Sequence, residues 1–375
     1  MLDPTELPAW LRLLETPRLG RESARRLLAA FGSPQAVLEA PAAARREVVG
    51  PATAAALATS AGAGNETIEA LIGATLAWLD AASTVPRHVV PIGDPRYPAR
   101  LLASADPPLL LYAQGRVELL QADSIAVVGS RNPTPQGSEN ARAFASHLGH
   151  AGFTIVSGLA LGIDAAAHAG ALETAAGTIA VVGTGLDRVY PRRHLTLAHR
   201  IAEQGLIVSE YALGTPPLAP HFPLRNRVIA GLARGTLVVE AALQSGSLIT
   251  ARMANEAGRE VFAIPGSIHS PQSRGCHALI KQGAKLVEAA QDILEELGTA
   301  ARATPPAAAP TAEPATAAAP DALLDALGFD PVTLDALSAR TGWSAAELNI
   351  RLLDLELGGA VARLPGQLFQ RLARS

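Results

Sequence analysis

One cysteine, Cys276, occurs in 375 residues, so an intrachain disulfide and a multi-cysteine metal cluster are both excluded. So little cysteine fits a reducing compartment, and we expect a cytoplasmic protein. Lysine is almost missing: only Lys281 and Lys285 stand among 31 basic residues, and the rest are arginine. The formal charge of −3 leaves no basic coat, so any nucleic-acid site must come from local segregation of arginine. No uninterrupted apolar span of about 20 residues occurs. Asp164 and Glu173 break the longest stretch, and no membrane contact is expected. Residues 1–10 carry Asp3 and Glu6 and no basic segment before an apolar run, which argues against a secretory signal. The P-loop pattern GxxxxGKS/T is absent, which disfavours a P-loop NTPase. Gly183-Thr184-Gly185 lacks the third glycine of the dinucleotide fingerprint, so no cofactor is expected. Asp164 and His168 share a helix face at i, i+4, but no third ligand completes a metal site. The plain reading is a capping acid with a polar neighbour.

What is present is apolar. Hydrophobic residues make up 49 % of a chain long enough for two or three domains. Residues 1–84 read as a helical domain rich in Ala and Leu. Within it, Pro17-Arg18-Leu19-Gly20 separates two helical stretches and resembles half of a helix-hairpin-helix. Two readings stand: a turn that offers backbone N–H groups to DNA phosphate, or a helical cap with a glycine turn.

From Val89 the texture alternates. Ile125–Val128, Phe153–Val156, Thr178–Val182, Leu206–Val208, Thr236–Val239 and Val261–Ile264 are short apolar runs that read as strands. Helical patterns separate them, which implies an α/β fold with a parallel sheet covered on both faces. Ligands of such sheets bind at the carboxyl ends of the strands. The 22 residues 299–320 contain five prolines among Ala and Thr and read as a semi-extended linker with a reach of about 70 Å. Residues 321–375 then pattern as three helices and a short hairpin, a winged helix. Its third helix opens on the capping box Ser344–Glu347 and bears Glu347, Asp354 and Glu356 against Arg351 alone. That acidity disfavours groove reading and favours a protein-contact or regulatory module.

Four loops of small residues follow strands of the central domain. They are Gly129-Ser130-Arg131, Ser157-Gly158-Leu159-Ala160, Gly183-Thr184-Gly185 and Gln244-Ser245-Gly246-Ser247. Together they point to a phosphate-rich ligand on one sheet edge. His221-Phe222-Pro223-Leu224-Arg225-Asn226-Arg227 adds an aromatic, an amide and two arginines at a helix entrance. Arg225 and Arg227 diverge by about 200° on that helix and need not touch one ligand. Phe222 is a candidate to stack on a base. Between Ser124 and Glu296 there are 14 cations and 13 anions, so a positive groove must gather Arg131, Arg225, Arg227, Arg274 and Lys281 at one edge.

These residues resemble the bacterial DNA-processing protein A family (DprA, also called Smf). The resemblance rests on Asp94-Pro95-x-Tyr97-Pro98, on Gly129-Ser130-Arg131, and on Ser157-Gly158-x-Ala160-x-Gly162-Ile163-Asp164 with His168. It continues through Phe222-x-x-Arg225-Asn226-Arg227, Ser245-Gly246-Ser247-Leu248-Ile249-Thr250-Ala251 and Gly258-Arg259 to Pro265-Gly266, and covers 85–296. His277 departs from the asparagine usual there. The resemblance implies an extended Rossmann-like domain over 85–298 that binds single-stranded DNA, with no catalytic turnover. It further implies a homodimer that protects incoming strands in natural transformation and helps load RecA recombinase against single-strand-binding protein. The DNA ligands expected on these grounds are Gly129, Ser130, Arg131, Ser157, Gly158, Phe222, Arg225, Arg227 and Lys281, with Asn226 and Thr250 holding the loops. A second hypothesis, a hydrolase acting on nucleotides in the same crevice, needs a general acid or base, for which only Asp164 and Glu240 offer themselves.

Overall fold

The structure, a computed structural model, describes residues 5–60, 66–298, 321–329 and 331–372, without the side chains of 58–60. The linker expected at 299–320 lies outside the described residues.

Among the described residues six short helices come first: Leu7–Leu14, Arg21–Phe31, Pro34–Glu39, Ala42–Val49, Pro51–Ser60 and Glu66–Asp80. Pro34 opens its helix where a missing N–H costs nothing, and the Ser33 hydroxyl accepts from Ala36 N–H at 3.1 Å. Leu7, Trp10, Leu11, Ala24, Ile68 and Ile72 from these helices share one core with Val89, Leu109, Leu110 and Tyr112 of the following domain. An ion cluster closes the same junction. Arg21 and Arg25 both reach Asp106, at 2.8 and 2.7 Å.

The central sheet has nine strands: β1 (Arg87–Pro91), β2 (Leu110–Gly115), β3 (Ser124–Val128), β4 (Thr154–Ser157), β5 (Thr178–Val181), β6 (Leu206–Ser209), β7 (Gly235–Val238), β8 (Glu260–Ala263) and β9 (Lys285–Leu286). Their order is β1-β2-β6-β5-β4-β3-β7-β8-β9. The six strands read from the sequence pair in parallel, in the order β6-β5-β4-β3-β7-β8 of a doubly wound sheet. The parallel core expected from the sequence is present, and two strands not read from the sequence extend it at one edge, where β1 and β2 run antiparallel to each other and β2 antiparallel to β6. Only the one-turn helix Ala99–Leu102 separates β1 from β2, too little to cover a sheet face in a parallel crossover.

Side chains alternate between the two faces with period two. Ile125 and Val127 of β3 pack with Ala141, Ala145, Leu148, Ile163 and Ala167 from the helices Pro135–His150 and Ile163–Ala171. Ala126 and Val128 face the other way, onto Val228, Ile229 and Leu232 of the helix His221–Leu232 and Ala251 of the helix Ser247–Glu256. From β3 the chain steps through β4 and β5 to β6, then returns to β7 on the far side of β3. The loops after β3 and β7 therefore leave in opposite directions and open a crevice between them.

The helices Ala322–Leu327, Leu334–Thr341 and Ala345–Leu357 and the strands β10 (Val332–Thr333), β11 (Val361–Leu364) and β12 (Leu368–Arg371) form the winged helix read from the sequence. The Ser344–Glu347 capping box closes reciprocally, and Gly342 ends the preceding helix at φ +72°. Leu323, Leu327, Leu337, Leu348, Leu352, Val361 and Phe369 are its core. Among the described residues no helix is long and apolar enough to cross a membrane.

Candidate nucleic-acid interface

The crevice at the switch point encloses about 540 Å³. Gly129, Ser130 and Arg131 form one wall and Ser245, Gly246 and Ser247 another, while Phe222, Arg225, Asn226 and Thr250 come from the helices that enter it. Gly129 is required by packing. A Cβ there would lie 2.7 Å from the Ile163 side chain and 2.9 Å from the Glu240 carbonyl oxygen. The Ser130 hydroxyl accepts from Asn132 N–H at 3.1 Å, which turns the chain at the crevice mouth. Arg131 is exposed, and no carboxylate pairs with it among the described residues. Its guanidinium carbon stands 6.0 Å from the centre of the Phe222 ring.

Phe222 is half-buried at the rim. Its second aromatic neighbour is Tyr190, with ring centres 5.4 Å apart and planes tilted by 34°. The segment after β5 that carries Tyr190 is fastened by His194, whose Nδ1 lies 3.0 Å from the Leu159 carbonyl oxygen. Arg192 and Arg193 beside it are exposed and have no ion-pair partner among the described residues. Sequence reasoning missed all three. The signal was legible: an aromatic followed by Arg192-Arg193-His194, just beyond a strand.

Arg225 and Arg227 part company, as their spacing requires. Arg225 points inward, is 4 % exposed, and donates to the Val181 carbonyl oxygen. Burial lowers its pKa to about 10, against the pull of the nearby Asp164 carboxylate and with a push from Arg131. Its Nε has no hydrogen-bond partner among the described residues. Arg227 points away from the crevice into a largely buried ion cluster. It binds Glu210 through Nη1 at 3.1 Å and Nη2 at 2.5 Å, and Asp106 through Nε at 3.0 Å. Both of its charge partners are in place, so the expectation that Arg227 contributes charge to the groove is corrected: it belongs to the cluster that also holds Arg21 and Arg25. Lys281 is corrected too. It is exposed at the C-terminal end of the helix Arg274–Lys281 and does not line the crevice.

The Ser157–Asp164 loop is likewise engaged with itself. The Ser157 hydroxyl is fully buried and donates to the Val127 carbonyl oxygen at 2.6 Å. Gly158 N–H and Ala160 N–H both donate to Asp164 Oδ2, at 3.1 and 3.2 Å. Leu159 N–H donates to His168 Nε2 at 3.3 Å. The ring's Nδ1 then carries the proton and faces the Thr178 hydroxyl at 2.7 Å, which itself donates to the Ile155 carbonyl oxygen at 2.6 Å. Burial pushes the His168 pKa down to about 3, aided by His194 and Arg225, so the ring is neutral. Burial raises the Asp164 pKa, opposed by Arg225 and by the N–H groups it accepts. Ser157 and Gly158 therefore offer no free donor to a phosphate. Gly158 serves by its lack of a side chain, because the Arg225 guanidinium lies where a Cβ would be.

The helix after Gly129-Ser130-Arg131 begins only at Pro135, and its N-terminus is occupied. The Thr134 hydroxyl accepts from Gly137 N–H at 2.9 Å. Glu240 accepts from Thr134 N–H at 2.9 Å and from the Thr134 hydroxyl at 2.6 Å. Burial raises the Glu240 pKa and the Thr134 bonds lower it, with the net shift upward. The phosphate site expected at this helix end is thus filled by a carboxylate of the protein itself. Asn226 reaches the Gly246 carbonyl oxygen at 3.5 Å, and Thr250 is buried beneath it. His277 Nε2 lies 3.0 Å from the Gly266 carbonyl oxygen. Among the described residues no three His, Cys, Asp or Glu side chains gather at metal-binding distance.

Three comparisons place these features. A family profile described as DNA recombination-mediator protein A matches residues 88–298, and a DprA winged helix domain profile matches 306–367. Protein Smf of Escherichia coli is 44 % identical over 310 residues, covering 81 % of this chain and 82 % of that one. DNA processing protein DprA of Streptococcus pneumoniae is 50 % identical over 203 residues, covering 54 % and 72 %. The solved structure of DNA processing protein A from Streptococcus pneumoniae superposes with TM-score 0.67 at 38 % identity, over 77 % of this chain and 97 % of that one. That of Helicobacter pylori DNA processing protein A, described for its single-stranded DNA binding mode, gives TM-score 0.51 at 31 % identity over 56 % and 95 %.

Proposed function

The chain belongs to the DNA recombination-mediator protein A family, and from that premise we propose that it binds single-stranded DNA along the crevice at the switch point. The observation that carries this reading is the unpaired Arg131 standing over Phe222, with the buried Arg225 lining the same crevice. Arg131 meets a phosphate, the buried Arg225 adds positive charge behind the crevice wall, and Phe222 supplies a face on which any base stacks. No group in this set reads a base edge, so the protein takes strands of any sequence. The relative from Helicobacter pylori, which binds single strands, supports the reading.

The family resemblance extends the proposal to a mediator. A strand held by its backbone is protected and keeps its bases open for loading of RecA recombinase in place of single-strand-binding protein. A homodimer through the central domain presents two crevices and gains affinity by effective concentration. Turnover is not part of the proposal, because Asp164 and Glu240 are engaged by backbone N–H groups and by Thr134. Titrating a labelled twenty-residue oligothymidylate and a duplex of equal length at several salt concentrations tests binding. We expect the single strand to bind tighter, with a log–log slope of about −0.7 per phosphate contact. Equal affinity for the duplex refutes the proposal.

A further inference from the structure

The helix Ala345–Leu357 has two apolar faces. Leu348 and Leu352 are buried, and Leu355 packs beside them on the domain core. At about 100° per residue, Ile350, Leu353 and Leu357 fall together on the opposite side. They are 66, 54 and 80 % exposed. Their spacing of i, i+3 and i+7 makes a strip about 10 Å long at 1.5 Å per residue, which Ala346 lengthens by a turn. Single exposed leucines need no explanation. Three aligned on the face that a DNA-reading winged helix fills with polar and basic groups do.

The strip is fenced by acids. Asp354 and Glu347 lie along one flank, with Glu347 held by Ser344 N–H at 2.9 Å, and Glu356 lies along the other. The one cation of the helix, Arg351, is turned over the Trp343 ring at 4.6 Å. We propose that this face docks a cationic amphipathic helix of a protein partner. The partner seats an apolar seam on Ile350, Leu353 and Leu357 and sets Lys or Arg side chains against the flanking carboxylates. Charge selects this occupant. A second copy would bring acidic flanks against acidic flanks, and DNA phosphate would meet the same carboxylates while gaining nothing from an apolar strip.

The test uses the full chain and two variants, Ile350→Ser/Leu353→Ser and Leu357→Ser, whose sites are exposed; a circular-dichroism melt checks that each stays folded. The probe is a labelled sixteen-residue helical peptide of Leu and Lys with its leucines on one face, beside a counterpart with Glu for Lys. We expect micromolar binding of the Lys peptide, weakened by salt, at least tenfold weaker for the folded variants, and at least tenfold weaker for the Glu peptide. Absence of binding, equal binding by the variants, or equal binding of the Glu peptide overturns the proposal. A fall in sedimenting mass on Ile350→Ser/Leu353→Ser assigns the face to a second copy and also overturns it. A tenfold loss of single-strand affinity in that variant, with peptide binding intact, assigns the face to DNA with the same result.

Discussion

Replacing Arg131 and Arg227 by alanine, one at a time, separates two roles that the sequence gives to look-alike arginines. Arg131 is exposed and unpaired among the described residues, so, on the proposed reading, its loss removes one phosphate contact and leaves the fold intact. The salt slope for a single strand then falls by about 0.7, so that between 50 and 200 mM salt the variant loses about 2.6-fold less affinity than the parent. Arg227 is different. Its side chain is 12 % exposed and that of its partner Glu210 is 7 % exposed. Removing one member of such a pair leaves a buried charge uncompensated, at a cost of about 3–5 kcal/mol. The lower end applies, since Arg21 stays 3.8 Å from Glu210. About 3 kcal/mol lowers the melting temperature by about 6–12 °C in a domain of this size. Anisotropy titrations of a labelled oligonucleotide and thermal melts of both variants are the assays. If Arg227→Ala flattens the salt slope while melting like the parent, the assignment of Arg227 to a structural cluster is wrong.

Three further outcomes are expected. Gly158→Ala forces a methyl group into the space of the Arg225 guanidinium, so single-strand binding should weaken at least tenfold while the melting temperature moves by only a few degrees; unchanged affinity would show that Arg225 does not serve the ligand. His168 has a folded pKa of about 3, below the usual ~6.5. The unfolded chain therefore takes up this proton first, and the contribution is full above about pH 6.5 and lost toward pH 3, at up to about 1.4 kcal/mol per pH unit. His168→Gln should be less stable than the parent at pH 7 and show a flatter acid limb in melts between pH 4 and 6; parallel limbs refute the neutral buried ring. Truncation after Gly298 should leave single-strand affinity within a few-fold of the full chain, because the third helix of the winged domain is acidic. A hundredfold loss, about 2.7 kcal/mol, would make that domain a principal DNA site.

Local patterning made the doubly wound core and the winged helix legible, since period two in β3 and the Ser344 capping box are both written within a few residues. The divergence of Arg225 and Arg227 was legible for the same reason. What each then meets was not. Glu240 caps a helix 106 residues before it, and Arg227 finds Asp106 across 121 residues. Such partners are set by strand order, which periodicity does not encode. The β1 and β2 strands escaped because the rule that joins strands through covering helices has no place for a pair linked by a one-turn helix. Glycine-rich loops were read as donors to phosphate, whereas Asp164 and His168 had already claimed the N–H groups of Gly158, Leu159 and Ala160.

The core shared by Leu7, Trp10, Leu11, Ile68 and Ile72 with Val89, Leu109, Leu110 and Tyr112 bears on how the molecule is cut and recombined. A piece starting at the first central strand would bare that apolar patch and strip Asp106 of Arg21 and Arg25, inviting aggregation that mimics self-association. The smallest piece suited to an assembly measurement therefore retains the opening helices and ends near Gly298. Exchanging those helices between relatives is a two-sided operation. The second helix, with Arg21 and Arg25, and the Asp106 loop it pairs with have to be swapped as one unit, much as the halves of a dovetail joint are cut together.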